Sequence, residues 1–290
     1  MSDPLSGRRI DVSRCAPPPA LAGWIERFWG TRWDLCGQPA HVAAMIGDPT
    51  VHLVIEAGSS RLVGVHRRRF VRRLEGRGRI LGTQLHPGAI LGLRSEAAST
   101  WTDRIVPLAQ VLAIDVAALE REALALDSDD AAFDVIARRL TPLLRPLDEG
   151  ATLARAIVEH ITRSPGLVRV AQLERASGLD ERSLQRLFRR CVGATPKWVI
   201  RRVRLQEAAA RLELDPDGSL ASLAASLGYA DQAHFARDFR AVVGTAPRSF
   251  AARLRAAADV RREDARINRP RGRGTATDPR GRRRGGTSSA

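Results

Sequence analysis

LQRLFRRCVGATP spans Leu184–Pro196, and FARDFRAVVGTAP spans Phe235–Pro247. The second stretch is the first, repeated 51 residues later. Leu184, Arg186, Phe188, Arg189, Gly193 and Pro196 correspond to Phe235, Arg237, Phe239, Arg240, Gly244 and Pro247. Upstream, Asp180 corresponds to Asp231 at the same offset, while Val170, Leu173 and Gly178 correspond to Leu220, Leu223 and Gly228 at an offset of 50. One residue has therefore been added in the turn of the second copy. Each copy spells a short helix, a glycine turn and a second amphipathic helix, which is a helix-turn-helix, at about 170–192 and 220–243. Gly178 and Gly228 stand where the chain needs φ > 0 after the first helix. Asp180 and Asp231 are placed to cap the second helix, and Pro196 and Pro247 suit the first turn of the helix that follows.

Helical geometry divides the second helix of the first copy into two faces. Leu184, Leu187, Phe188 and Cys191 form one apolar stripe, and Arg182, Gln185, Arg186 and Arg189 fall opposite. Arginine and glutamine are the side chains that pair bidentately with guanine and adenine edges in the major groove. A charged helix face is ordinarily just solvated. Its recurrence in the second copy, with Arg237 and Arg240 in place of Arg186 and Arg189, points to DNA. The second copy is poorer in base-reading groups, since Ala233 and Ala236 replace Arg182 and Gln185, with Gln232 and His234 on the flanks. Phe235, Phe239 and Val242 read as its core stripe. Between the copies a helix over Pro196–Leu214, ~27 Å long, would hold two recognition helices in successive major grooves, ~34 Å apart.

Charge supports the same half of the chain. The 290 residues carry 47 basic and 32 acidic side chains, formally +15. Residues 1–150 are near neutral at +1, residues 151–255 carry +8 and residues 256–290 carry +6. A polyanion partner is expected for the basic half alone. Three scattered cysteines argue for a reducing compartment and exclude a four-cysteine zinc site. No apolar run approaches ~18 residues, and no apolar segment follows a basic start, so a cytoplasmic location without a membrane partner is expected. No cofactor or metal ligand set is apparent, and no nucleophile elbow or phosphate loop points to an enzyme.

The fold class expected is α+β and multidomain. Residues 1–145 read as a β-rich domain, sandwich-like or cupin-like, because short apolar runs at 51–58, 61–66, 79–85 and 89–94 are punctuated by Gly, Pro and Ser. Helices are expected at about 108–144, then a linker at 146–150. Residues 151–257 read as seven helices with short connections. Residues 258–290, rich in Arg and Gly, lack the apolar groups to order themselves and are expected to be disordered. The tryptophans Trp24, Trp29, Trp33 and Trp101 are candidates to line a pocket, though plain core is the commoner role for such residues.

The segment GLDERSLQRLFRRCVGATPKW together with Gly228–Tyr229, Phe235, Arg237, Phe239, Gly244 and Pro247 resembles the DNA-binding domain of AraC-type transcriptional regulators. The resemblance implies base contacts from Arg182, Gln185 and Arg186 in the first unit and from Gln232, Ala233, Ala236 and Arg237 in the second. It implies phosphate contacts from Arg189 and Arg240, and structural roles for Gly178, Asp180, Leu184, Phe188, Pro196, Gly228, Asp231, Phe235, Phe239 and Pro247. It further implies promoter DNA as partner, a small-molecule effector or a homodimer through the β-rich domain, and contact with RNA polymerase. Two other classes compete: a non-specific nucleic-acid binder driven by the arginine tail, and an enzyme domain fused to such a DNA-binding domain.

Overall fold

The computed structural model describes residues 9–45 and 47–256; the expected disorder over 258–290 lies outside them. Eight strands come first: β1 (Arg9–Cys15), β2 (Ile25–Leu35), β3 (His41–Met45), β4 (His52–Ile55), β5 (Arg61–Val63), β6 (Phe70–Leu74), β7 (Gly76–Leu85) and β8 (Ile105–Pro107). Six form one antiparallel sheet in the order β1-β2-β7-β4-β5-β8, and β3 pairs with β6 in a second. Alternation along β2 and β7 gives the large sheet two apolar faces. One face carries Phe28, Leu53, Leu81 and Leu85 and packs on α1 (Val116–Leu124) and α2 (Asp129–Leu140). Phe28 stacks on Phe133 of α2 with ring centroids 5.3 Å apart. The other face carries Trp33, Val54 and Ile80 and packs on Leu74 of the small sheet. Each core side chain buried there stabilises by roughly 1.5–3 kcal/mol.

The inner face holds a polar line. Trp29 Nε1 donates to His52 Nδ1 at 3.2 Å, which leaves His52 Nε2 to carry the ring proton toward Thr50 Oγ1, 3.3 Å away. On β7, Gln84 Nε2 donates to Glu26 at 3.0 Å and to Asp48 at 3.4 Å. Burial holds His52 and His86 below the ordinary 6.5. Folding thus favours the neutral rings, and below pH 6.5 the unfolded chain takes up protons that the folded chain refuses. Stability is expected to fall as pH drops from 6.5 toward 5, by up to about 1.4 kcal/mol per pH unit for His52 and by less for the half-buried His86, whose shift solvent screens. Urea midpoints across that range test this, and His52→Gln should flatten the slope.

The sequence expectation departs from the structure in several places. Residues 89–92 form a 3-10 turn, because Pro87 and Gly88, at φ +86, break the extended path first. Of the helices expected from 108, a 3-10 turn covers Leu108–Gln110 and the first α-helix begins at Val116, where Asp115 caps its first turn. The tryptophans do not gather: Trp29 and Trp33 lie on the inner face, Trp101 joins the opposite core, and Trp24 Nε1 donates to the Arg145 carbonyl at 2.9 Å. The 146–150 segment is no loose tether either. Arg145 N donates to Gly92 O at 2.9 Å, Leu147 packs on the N-terminal core, and Asp148 caps α3 while pairing with Arg190.

The C-terminal half runs α3 (Glu149–Arg163), α4 (Val170–Ser177), α5 (Glu181–Cys191), α6 (Pro196–Leu214), α7 (Leu220–Ser226), α8 (Gln232–Val243) and α9 (247–256). It has two cores. Leu173, Leu184, Phe188, Cys191, Val199 and Ile200 close the first against α3. Leu205, Leu212, Leu227, Phe235, Phe239 and Ala251 close the second. The long α6 belongs to both, its first turns in one and its last turns in the other.

Candidate nucleic-acid interface

The two helix-turn-helix units are built alike. Gly178 and Gly228 end the first helix of each at φ +70 and +71. Asp180 accepts a hydrogen bond from Ser183 N at 2.7 Å, and Asp231 from His234 N at 2.6 Å, which starts α5 and α8. That bond holds the Asp180 carboxyl below the usual carboxylate range. Leu184 and Phe188 in α5, like Phe235 and Phe239 in α8, are wholly buried. After each recognition helix the chain turns through a left-handed glycine, Gly193 at φ +85 and Gly244 at φ +87. Pro196 then opens α6, capped by Thr195, and Pro247 opens α9.

Burial of the apolar stripes turns the polar ones outward. Arg182, Gln185, Arg186 and Arg189 are all exposed along α5, and Gln232, Ala233, Arg237 and Arg240 along α8; Ala236 is half-buried. Gln185 is lightly held, its Nε2 donating to Glu181 at 2.9 Å, and Arg186 reaches Ser183 Oγ at 3.4 Å. Neighbouring arginines are engaged instead: Arg190 with Asp148, and Arg201 with Asp238 at 2.7 Å. His234 leans on Tyr229 and lies 3.8 Å from Asp238, within the network that ties α6 to α8. A row of exposed guanidiniums on two alike-built helices is a surface suited to phosphates and to guanine edges. Among the described residues no group of His, Cys, Asp or Glu is gathered to hold a metal.

The β domain is fastened to the helices that carry this surface. Arg202 on α6 is 1% exposed, stacks 5.4 Å over Trp198 and donates from Nε to Gly47 O at 2.7 Å. Both of its Nη atoms lack a partner among the described residues, and burial pushes its pKa down to about 10. One turn on, Gln206 Nε2 donates to Asp48 at 2.6 Å, so Asp48 joins α6 to Gln84 on the inner face of the sheet. Thr102 Oγ1 donates to the Gly193 carbonyl at 2.6 Å. Sequence reasoning missed these contacts, although Arg202 breaking the apolar stripe of α6 was a visible sign. A buried, half-satisfied guanidinium is costly. Arg202→Met removes that cost but leaves Gly47 O without its 2.7 Å donor, a loss of about 1–3 kcal/mol, so little net change in stability is expected, as read by thermal melting of the full chain.

Comparison with known proteins places the two halves differently. Residues 173–253 match a family described as a helix-turn-helix domain, and residues 13–107 match a domain of unknown function. The transcriptional activator RhaS of Pectobacterium carotovorum is 37% identical over 72 residues, as is that of Pectobacterium atrosepticum. The match spans 25% of this chain and only a quarter of the length of these curated relatives. Among solved structures, a probable AraC family regulator from Rhodopseudomonas palustris is 28% identical, covering 36% of this chain and 97% of its own at a TM-score of 0.33. An apo variant of ToxT from Vibrio cholerae covers 83% of this chain and all of its own at 12% identity and a TM-score of 0.42. Among the described residues no helix is long and apolar enough to cross a membrane. With its duplicated units, left-handed glycine turns and matched sequence, the region 173–253 is a helix-turn-helix domain of the matched family.

Proposed function

We propose that the chain is a one-component transcriptional regulator that binds promoter DNA sequence-specifically, with α5 and α8 in successive major grooves. The observation that carries this reading is the pair of exposed polar stripes on α5 and α8, held in fixed relation by α6. Arg182, Gln185 and Arg186 read bases in the first groove; Gln232, Ala233, Ala236 and Arg237 face the second. Arg189 and Arg240 meet phosphates. The β domain acts as sensor or pairing surface rather than as an enzyme. A small effector between the two sheets would disturb His52 and Gln84, and Asp48 passes that change to Gln206 on α6. Cytoplasmic location, a homodimer and contact with RNA polymerase complete the reading.

Footprinting on the DNA upstream of the gene, across a salt series with scrambled competitor, tests it. A protected site with two major-groove contacts about one turn apart is expected. Arg186→Ala should cost about 1–3 kcal/mol and relax selectivity at one base position. Unchanged binding of that variant to every site would remove α5 from the groove.

A further inference from the structure

The N-terminal half is near neutral, yet it places three arginines in a row at Arg67–Arg69, all exposed. Arg67 is committed to structure: its Nε donates to Asp103 Oδ2 at 2.7 Å and its backbone N to Oδ1 at 2.8 Å. Asp103 sits at φ +56, the one non-glycine residue with positive φ among the described residues. Such a conformation costs energy and persists where its surroundings demand it. Its neighbour Thr102 is the residue bonded to Gly193 at the end of α5. Residues 102–103 thus fix the arginine loop to the first recognition helix.

The far end of the loop meets the second. The Arg69 guanidinium lies over Gly244, where an added Cβ would stand 2.6 Å from Cζ. Along α8, Ala233, Arg237 and Arg240 follow at i, i+4 and i+7, one exposed stripe, and Gly244 ends the helix in a left-handed turn. Arg69 therefore stands at the C-terminal end of α8, the helix that carries Arg237 and Arg240. Neither Arg68 nor Arg69 has an ion-pair partner among the described residues, unlike Arg67, Arg72 and Arg73.

We infer that the 67–69 loop of the β domain is a third DNA-contacting element, with Arg68 and Arg69 gripping phosphates beside the groove that α8 enters. The inference rests on the proposed reading of α8. Arginine matches phosphate geometry with two parallel donors, and such contacts add affinity without base selectivity. The loop also makes the seating of the β domain part of the DNA-binding surface, since its position depends on Asp103 and Thr102.

The test uses the full chain. Arg68→Ala/Arg69→Ala is expected to lower the slope of log affinity against log salt by about 2, one for each phosphate lost, equally on operator and scrambled duplexes. Arg68→Lys/Arg69→Lys should keep most of that slope. Arg14→Ala/Arg121→Ala removes the same charge from exposed sites elsewhere in the domain and should leave the slope nearly intact. An unchanged slope in the first variant, or an equal fall in the Arg14/Arg121 control, overturns the inference. Arg186→Ala is run alongside: if it too changes nothing, the reading of the recognition helices has failed, not the loop alone.

Discussion

Inserting about five base pairs, half a helical turn, between the two half-sites lowers the specific affinity of the full chain by about 10²- to 10³-fold. Half a turn carries the second half-site to the opposite side of the duplex. The protein cannot follow, because α6 is embedded in both helix-turn-helix cores and Arg201 bonds Asp238 across the α6–α8 contact. The β domain adds a second brace, meeting Gly193 after α5 and Gly244 after α8. Specific complexes exceed non-specific ones by typically 10³- to 10⁷-fold, and losing one of two readers forfeits roughly half of that on a logarithmic scale. Competition titrations on spaced operators measure it. Equal affinity for the native and the five-pair spacing would mean that the units swivel freely or that one unit does all the reading.

Phe239→Ala costs about 3–5 kcal/mol of stability. Phe239 is wholly buried, with Phe235 and Phe250 ring centroids each 5.6 Å away. Truncation leaves a cavity in the second core, between Phe235 and Phe250. For a domain of about 100 residues each kcal/mol moves the midpoint by roughly 4–8 °C, so a drop of at least about 12 °C is expected. The loss falls on one unit, since Phe188 and Leu184 close a separate core. A footprint should shrink to the α5 half-site before binding is lost. A variant with native melting and a full two-site footprint would show that the second core contributes little to either.

How much of this was legible in the sequence depended on redundancy. The helix-turn-helix units could be read because each was written twice: Asp180 and Asp231, or Gly178 and Gly228, supported one another across the offset. The β domain had no second copy to correct it. β2 carries Glu26, Arg27, Arg32 and Asp34 among its tryptophans, so its alternation is blurred in the sequence. Yet Glu26 pairs with Arg27, Asp34 with Arg77 and Arg32 with Asp129 of α2, which satisfies those charges in the fold. Apolar AILGLR read as a strand because periodicity cannot see a left-handed glycine placed before it. The clamp between domains was hidden for a different reason. Polar residues on α6 look solvated in a linear chain, and only the returning 47–48 segment shows that Arg202 and Gln206 have partners.

On the proposed reading, the inequality of the two copies has a consequence for the promoter. A symmetric dimer marks a place on the duplex and is blind to which way the duplex runs. Here an arginine- and glutamine-bearing helix is fused by α6 to an alanine-bearing one, and the order cannot be exchanged. The bound chain has a head and a tail. Turning its site end for end would seat the β domain on the opposite flank and aim it away from the start of the gene. A promoter bound by such a chain carries an arrow as well as an address.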